Sequence, residues 1–182
     1  MKKHRIIFSG SGGQGVITAS VILAEAAALY EGLEAVQVQA YGPEARGGAT
    51  RGDVIISDTD IYFPMVIQPE ALVSLTQTAY DKFLGNIQPG GLLLTDSHFV
   101  TLNKKVDAYQ TALSMYKTVM DKIGKPIVFN ICMLGAITGL THFVKPESII
   151  KALETRFPAE IMDINKKALE IGLELAEGHG IS

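Results

Sequence analysis

The stretch from Arg5 to Tyr30 constrains this chain more than any other. Ile6, Ile7 and Phe8 form a short apolar run that glycines end abruptly, which predicts a strand buried on both faces. Val16 to Tyr30 is rich in Ala and Leu and contains neither Pro nor Gly, so it predicts a helix of about four turns. Between them lies Gly10-Ser11-Gly12-Gly13-Gln14-Gly15, a Gly-x-Gly-x-x-Gly spacing with one extra glycine. A strand, a glycine turn and a helix in that order can cradle a phosphate. Glycines permit positive φ and close backbone approach, and a helix N-terminus offers unpaired N–H groups to an anion. The same glycines are also what a tight strand-to-helix turn needs for packing alone, and both readings stand. A nicotinamide dinucleotide is disfavoured, because the strand over Ala35 to Ala40 ends in Tyr41-Gly42-Pro43 without an acid for the ribose, and Glu31 and Glu34 come too early.

The remaining chain alternates strand-like and helix-like segments. Ala35 to Ala40 puts Val36 and Val38 on one face and Gln37 and Gln39 on the other, as an edge strand does. Asp53 to Ser57 and Ile61 to Val66 flank Asp58-Thr59-Asp60 and predict a β-hairpin, with Pro64 at an edge or bulge. Ala71 to Leu75, Leu92 to Asp96, a weaker Asn103 to Gln110 and Pro126 to Phe129 read as strands. Gln77 to Leu84, Ala112 to Ile123, Ile131 to Leu140, Pro146 to Arg156 and Ala159 to Ala176 read as helices. The sum is a single domain over residues 1–182 of the α/β class: a three-layer α/β/α sandwich, Rossmann-like, with a mixed but mostly parallel sheet. The first helix is apolar on more than one side, which calls for a second surface over its outer face, here expected to be another subunit.

Candidate binding residues fall in loops after strands, where open α/β sheets hold their ligands. They are Gly10, Ser11, Gly12, Gly13, Gln14 and Gly15 of the turn; Arg46, Gly47 and Gly48 of the loop Tyr41 to Thr50; and Asn130. The loop serves equally as a plain surface connection, and Asn130 equally as a helix N-cap. Self-sufficient catalysis finds little support. The histidines His4, His98, His142 and His179 lie at no ligand spacing, and Asp96-Ser97-His98 reads better as a turn than as a catalytic set. The Gly-x-Ser-x-Gly elbow and the Walker Gly-Lys-Ser/Thr are absent. The single cysteine, Cys132, sits among Ile131, Met133 and Leu134 and reads as buried and inert; alone it builds no disulfide, zinc site or iron–sulfur cluster.

A net charge of −3 and the lack of a basic run beyond the first five residues argue against nucleic acid and anionic membrane as partners. No run reaches the roughly 18 apolar residues of a membrane span, so a cytoplasmic protein is expected. Only 19% of the chain is charged, below the ~25% of a typical soluble domain, which implies a surface partly covered by another chain.

Several stretches together resemble one family. Ser9-Gly-Ser-Gly-Gly-Gln-Gly-Val16, Tyr41-Gly-Pro-Glu-Ala-Arg-Gly-Gly48, Ile55-Ile-Ser-Asp58, Asn130-x-x-x-Leu-Gly135 and Asn165-x-x-Ala168 with Gly172 are similar to the gamma subunit of 2-oxoacid:ferredoxin oxidoreductases. Those acting on 2-oxoglutarate and on branched-chain 2-oxoacids (ketoisovalerate) match best. The resemblance implies oxidative decarboxylation of a 2-oxoacid with coenzyme A, giving acyl-CoA, carbon dioxide and reduced ferredoxin. It further implies that thiamine diphosphate, magnesium and [4Fe-4S] clusters are held by other chains and none by this one. Implied partners are alpha and beta subunits, a ferredoxin-like delta subunit as a further candidate, and ferredoxin through the complex. The other readings are a stand-alone nucleotide- or flavin-binding protein and a purely structural subunit.

Overall fold

Ile6, Ile7 and Phe8, all fully buried, lie at the middle of the molecule. They belong to strand β1 (Lys3–Gly10), which the glycine turn joins to helix α1 (Val16–Tyr30). The computed structural model describes residues 2–39 and 48–179. Along the chain follow β2 (Glu34–Gln39), β3 (Thr50–Ser57), β4 (Ala71–Ser74), α2 (Gln77–Phe83), β5 (Gly91–Asp96) and β6 (Ala108–Leu113). Four helices complete it: α3 (Met115–Lys122), α4 (Phe129–Thr141), α5 (Pro146–Arg156) and α6 (Met162–Ala176). The strands form one sheet in the order β2-β3-β1-β4-β5-β6. β3 is antiparallel to both neighbours, and β1, β4, β5 and β6 pair in parallel. The mixed, mostly parallel sheet of a three-layer α/β/α sandwich is thus observed.

The two layers over the sheet are unequal. Ile6, Phe8, Val54, Val73 and Leu94 point to the face that carries α1, α3, α4, α5 and α6. Ile7, Ile55, Leu72 and Leu93 point to the other, which is covered by α2 and the irregular segments that supply Val66 and Val100. Membership alternates residue by residue along β1, as a strand buried on both faces requires.

The hairpin expected over Asp53 to Val66 does not form. β3 already uses both its edges, on β1 and on β2, so Ile61 to Val66 finds no free edge to pair with. That segment instead lies across the thin face. Arg51 Nη2 donates to the carbonyl of Val66 (2.6 Å), and Asp53 Oδ2 accepts from the Val66 N–H (3.3 Å). Arg51 and Asp53 are themselves joined by two bonds, of 2.6 and 2.8 Å, in the bidentate geometry that fixes a guanidinium on a carboxylate. Pro126 to Phe129 is not a strand either. Pro126 to Val128 is a 3-10 turn running directly into α4, with proline where its fixed φ and missing N–H suit a helix start. Asn130 therefore lies inside α4 and is not its N-cap, which is Val128. β6 and α3 begin five and three residues later than the sequence suggests.

The outer side of α1 is also corrected. Its extra apolar surface is covered within the chain by α5 and α4, where the sequence alone suggests another subunit. Tyr30 Oη bonds Thr155 Oγ1 (2.7 Å) and Arg156 pairs with Glu25 (3.2 Å) across that contact. The exposed large apolar side chains lie mostly elsewhere. Tyr62, Phe63, Met65 and Ile67 are 87, 55, 59 and 66% exposed. Among the described residues no helix is long and apolar enough to cross a membrane.

α4 and α6 cross in close backbone contact. A Cβ on Gly135 would overlap the carbonyl of Leu169, and one on Gly172 the carbonyl of Cys132; one on Gly139 would lie 2.8 Å from Ala176 Cβ. The order of these contacts, Gly135 to Gly172 and Gly139 to Ala176, makes the two helices parallel. A methyl group at Gly172 must push them apart. Gly172→Ala is expected to lose about 1–3 kcal/mol, a fall in Tm of roughly 2–4 °C per kcal/mol for a chain of this size. Thermal unfolding checks it, and an unchanged Tm would show that the crossing is not tight.

Candidate functional site

The glycine turn is built around Gln14. Its Oε1 accepts from the Ser11 N–H (2.7 Å) and its Nε2 donates to the carbonyl of Leu75 (3.3 Å), which ties the turn to the end of β4. Gly13 and Gly15 have φ of 88° and 72°, the left-handed region that favours glycine. A Cβ on Gly10 would stand 2.6 Å from Gln14 Oε1, and one on Gly15 2.6 Å from Asn130 Nδ2. Packing within the chain thus accounts for Gly10 and Gly15. It does not account for Gly12, where a Cβ would meet nothing within 4 Å and no positive φ is present.

Asn130, although inside α4, comes to the turn: its Nδ2 donates to the carbonyl of Gly15 (3.3 Å) and the residue is 7% exposed. Gly48 reaches the same rim, because Thr50 of β3 pairs with Gly10 at the end of β1; its φ is 78° and nothing of the described chain crowds it. Arg46 and Gly47 lie outside the described residues. The structure therefore brings Gly10 to Gly15, Gly48 and Asn130 to one end of the sheet.

A cavity of about 310 Å3 opens beside the turn. Gly15, Val128 and Ile161, the N-cap residues of α1, α4 and α6, all line it. No side chain caps any of the three helices, and three positive helix ends converge on one space; at α4 and α6 the N–H groups of Phe129 and Met162 bond back to the carbonyls of Pro126 and Ala159 in the 3-10 turns that lead into them. Ile127, Phe157 and Ile164 supply apolar wall, and Asn165 of α6, 3% exposed, a second carboxamide. No lining residue carries a formal charge. In the sequence Asn165 stands out only as part of the family resemblance. The one local sign was a polar residue on the apolar stripe of α6, beside Ala168 and Leu169.

The Asp96 to His98 segment is structural. Asp96 is fully buried, and its two oxygens accept from the backbone N–H groups of His98 (2.9 Å) and Tyr116 (2.7 Å), closing the turn after β5 and holding the first turn of α3. The His98 ring stacks on Tyr116. Burial pushes the Asp96 carboxyl above the ordinary aspartate range, against those backbone bonds, which lower it. Cys132 is fully buried and its thiol is pushed up to about 12, chiefly by burial and next by the charge of Asp96. It is no nucleophile. Among the described residues no three His, Cys, Asp or Glu side chains stand together as a metal-binding group.

A mixed sheet of this order, with a glycine turn at its carboxyl end and three helix N-termini meeting beside it, is the fold of an open α/β domain whose site lies at that end. The chain belongs to the pyruvate ferredoxin/flavodoxin oxidoreductase family, whose profile matches residues 5–175. It is 46% identical over 177 residues to the 2-oxoglutarate synthase subunit KorC of Methanocaldococcus jannaschii, a match covering 96% of this chain and 95% of that protein. The structure of the keto/oxoacid ferredoxin oxidoreductase gamma subunit from Geobacter sulfurreducens superposes with a TM-score of 0.86 at 44% identity, over 95% of this chain and 98% of that one. The 2-oxoglutarate:ferredoxin oxidoreductase of Magnetococcus marinus, solved with 2-oxoglutarate, coenzyme A and succinyl-CoA bound, also gives a TM-score of 0.86. It is 22% identical and 97% of this chain covers 31% of it, a likeness of fold.

The raised carboxyl of Asp96 carries a pH signature. A folded-state pKa above the unfolded one means that the folded chain holds the proton more tightly, so this group's contribution to stability is fullest below the unfolded value and is lost as pH rises through the folded one. Relative to Asp96→Asn, which cannot titrate, the wild type should lose stability as pH rises from the unfolded through the folded value, by about 1.4 kcal/mol for each pH unit separating the two. Urea unfolding of both proteins at several pH values measures the difference; a flat difference would mean that the backbone hydrogen bonds offset the desolvation of the carboxylate.

Proposed function

We propose that this chain is the gamma-type subunit of a 2-oxoglutarate:ferredoxin oxidoreductase. In that assembly 2-oxoglutarate, coenzyme A and oxidised ferredoxin give succinyl-CoA, carbon dioxide and reduced ferredoxin. The observation that carries the reading is the near end-to-end match, in both directions, to a 2-oxoglutarate synthase subunit. A ketoisovalerate oxidoreductase subunit, of which the match covers 37%, and a pyruvate synthase subunit of Methanothermobacter marburgensis are each 34% identical, which favours 2-oxoglutarate. A stand-alone nucleotide or flavin binder is not favoured, since these relatives are subunits. In this reading thiamine diphosphate, magnesium and [4Fe-4S] clusters belong to alpha, beta and ferredoxin-like delta chains, in the cytoplasm. When bound there, thiamine diphosphate supplies the decarboxylating chemistry.

This chain's part is positional. The N–H groups at the glycine turn, with Arg46 from the neighbouring loop, hold a phosphate of coenzyme A, the guanidinium adding a charge-assisted bond. Gly12, which the chain's own packing leaves unexplained, supports close approach of a group from outside. The competing role of the turn is contact with a companion chain alone.

Two outcomes are expected. Purified by itself, the chain should not reduce a viologen dye in the presence of 2-oxoglutarate and coenzyme A, and should do so once co-assembled with its companion chains. Dye reduction by the lone chain would overturn the subunit reading. In the assembled enzyme, Arg46→Ala should raise the KM for coenzyme A about tenfold if ~1.4 kcal/mol of uniform binding is lost. Assembly and the KM for 2-oxoglutarate should stay as they are. Failure to assemble, or a change confined to the 2-oxoglutarate constant, would assign the loop to the interface.

A further inference from the structure

The thin face of the sheet carries a strip that the fold leaves uncovered. Tyr62, Phe63, Met65 and Ile67 are each more than half exposed, while Val66 between them is buried and held by Arg51 and Asp53. At ~200 Å2 for a large side chain, the four present roughly 500 Å2, more than half of the ~800 Å2 that each partner gives to a specific interface. The pinned backbone presents them already ordered, which lowers the entropy cost of docking.

Beside the strip a hollow of about 360 Å3 is lined by Arg5, Phe63, Met65, Ile67, Gln68 and Gln88. Arg5 is half-buried, and its guanidinium has neither an ion pair nor a hydrogen bond among the described residues. A cation set among apolar side chains without an anion is costly unless a carboxylate reaches it from outside. Gln68 and Gln88 add two carboxamides at the same place.

The strip lies at the end of the sheet opposite the glycine turn. Ser57, which leads into it, pairs with Lys3 at the start of β1. α6 finishes at that end too: its Ala176 meets Gly139 near the end of α4, and Leu140 and Thr141 of α4 share a hollow with Glu70 and Gly90, which precede β4 and β5. The first strand therefore begins, and the last helix stops, at the end where the strip is. The ketoisovalerate subunit continues far beyond this domain, which accounts for 37% of it. Whether that further chain precedes or follows the domain, it joins at this end.

From this geometry we infer that the strip from Tyr62 to Ile67 and the Arg5 hollow dock the companion chain that corresponds to the rest of that longer subunit, through a segment pairing apolar side chains with a carboxylate. The inference rests on the subunit reading above and gives the two ends of the sheet different tasks. The apolar side chains of the companion cover the strip, and its carboxylate bonds Arg5.

The chain assembled with its companion chains tests this. Photoreactive benzoylphenylalanine in place of Phe63 should cross-link to the named companion. Ile67→Asp and Arg5→Glu should each weaken binding to that purified companion at least about tenfold, with the Tm of the lone chain unchanged. Tyr109→Asp, at a residue 59% exposed on β6, should bind as the wild type does. Wild-type binding by both Ile67→Asp and Arg5→Glu overturns the inference. So does an equal loss in Tyr109→Asp, or a cross-link only to a different companion or to a second copy of this chain. If the assembly turns over 2-oxoglutarate while both strip variants bind normally, the function stands and the inference falls. If the strip variants lose the companion but the wild-type assembly does not turn over 2-oxoglutarate, the reverse holds.

Discussion

The backbone contact of α4 with α6 is the constraint on which the rest of this structure depends. With Gly135 and Gly172 the two helices approach until carbonyl oxygens fill the space of a side chain. α4 can be buried around most of its circumference only because such a contact exists. The helices run parallel, so their N-terminal turns lie at one end. α4 also presses Asn130 against Gly15, and that end is therefore where α1 begins. A glycine pair midway along two helices thus decides that three helix starts surround one space.

How much of this was legible in the sequence differs by element, for physical reasons. α1 and α5 are read to the residue, because their limits are written locally, in the glycine turn before Val16 and in Pro146. The second strand of the expected hairpin is misread because alternation cannot say whether a strand's edges are already taken, and those of β3 are. Pro126 to Phe129 is misread because a short apolar run is ambiguous between strand and buried helix start. For the site, the glycine turn and Asn130 stand out as residues, but their meeting does not. Gly15 and Asn130 are 115 positions apart, and nothing in the sequence states that distance in space. The contribution of α6, through Asn165, is hidden for the same reason.

The apolar character of α1 separates two questions. A helix without a polar side needs a second surface, and that requirement is physical; which surface answers it is a matter of topology. Here α5 folds back over α1, so the surplus is absorbed internally, and the low charge content finds its outlet on the thin face. There Arg51 and Asp53 hold the segment of Val66 by its backbone. Its aromatic and aliphatic side chains point outward while the backbone is pinned.

The placement of Cys132 carries a practical consequence. It is the one cysteine in the sequence, fully buried, and its carbonyl sits where the α6 backbone touches α4. A soluble alkylating agent can reach it only after the packing around α4 opens. The rate of labelling in native buffer therefore reports that opening together with the reactivity of the exposed thiol. The chain carries its own probe of the packing around α4. Any labelling that is immediate in an assembled enzyme must come from the cysteines of other chains.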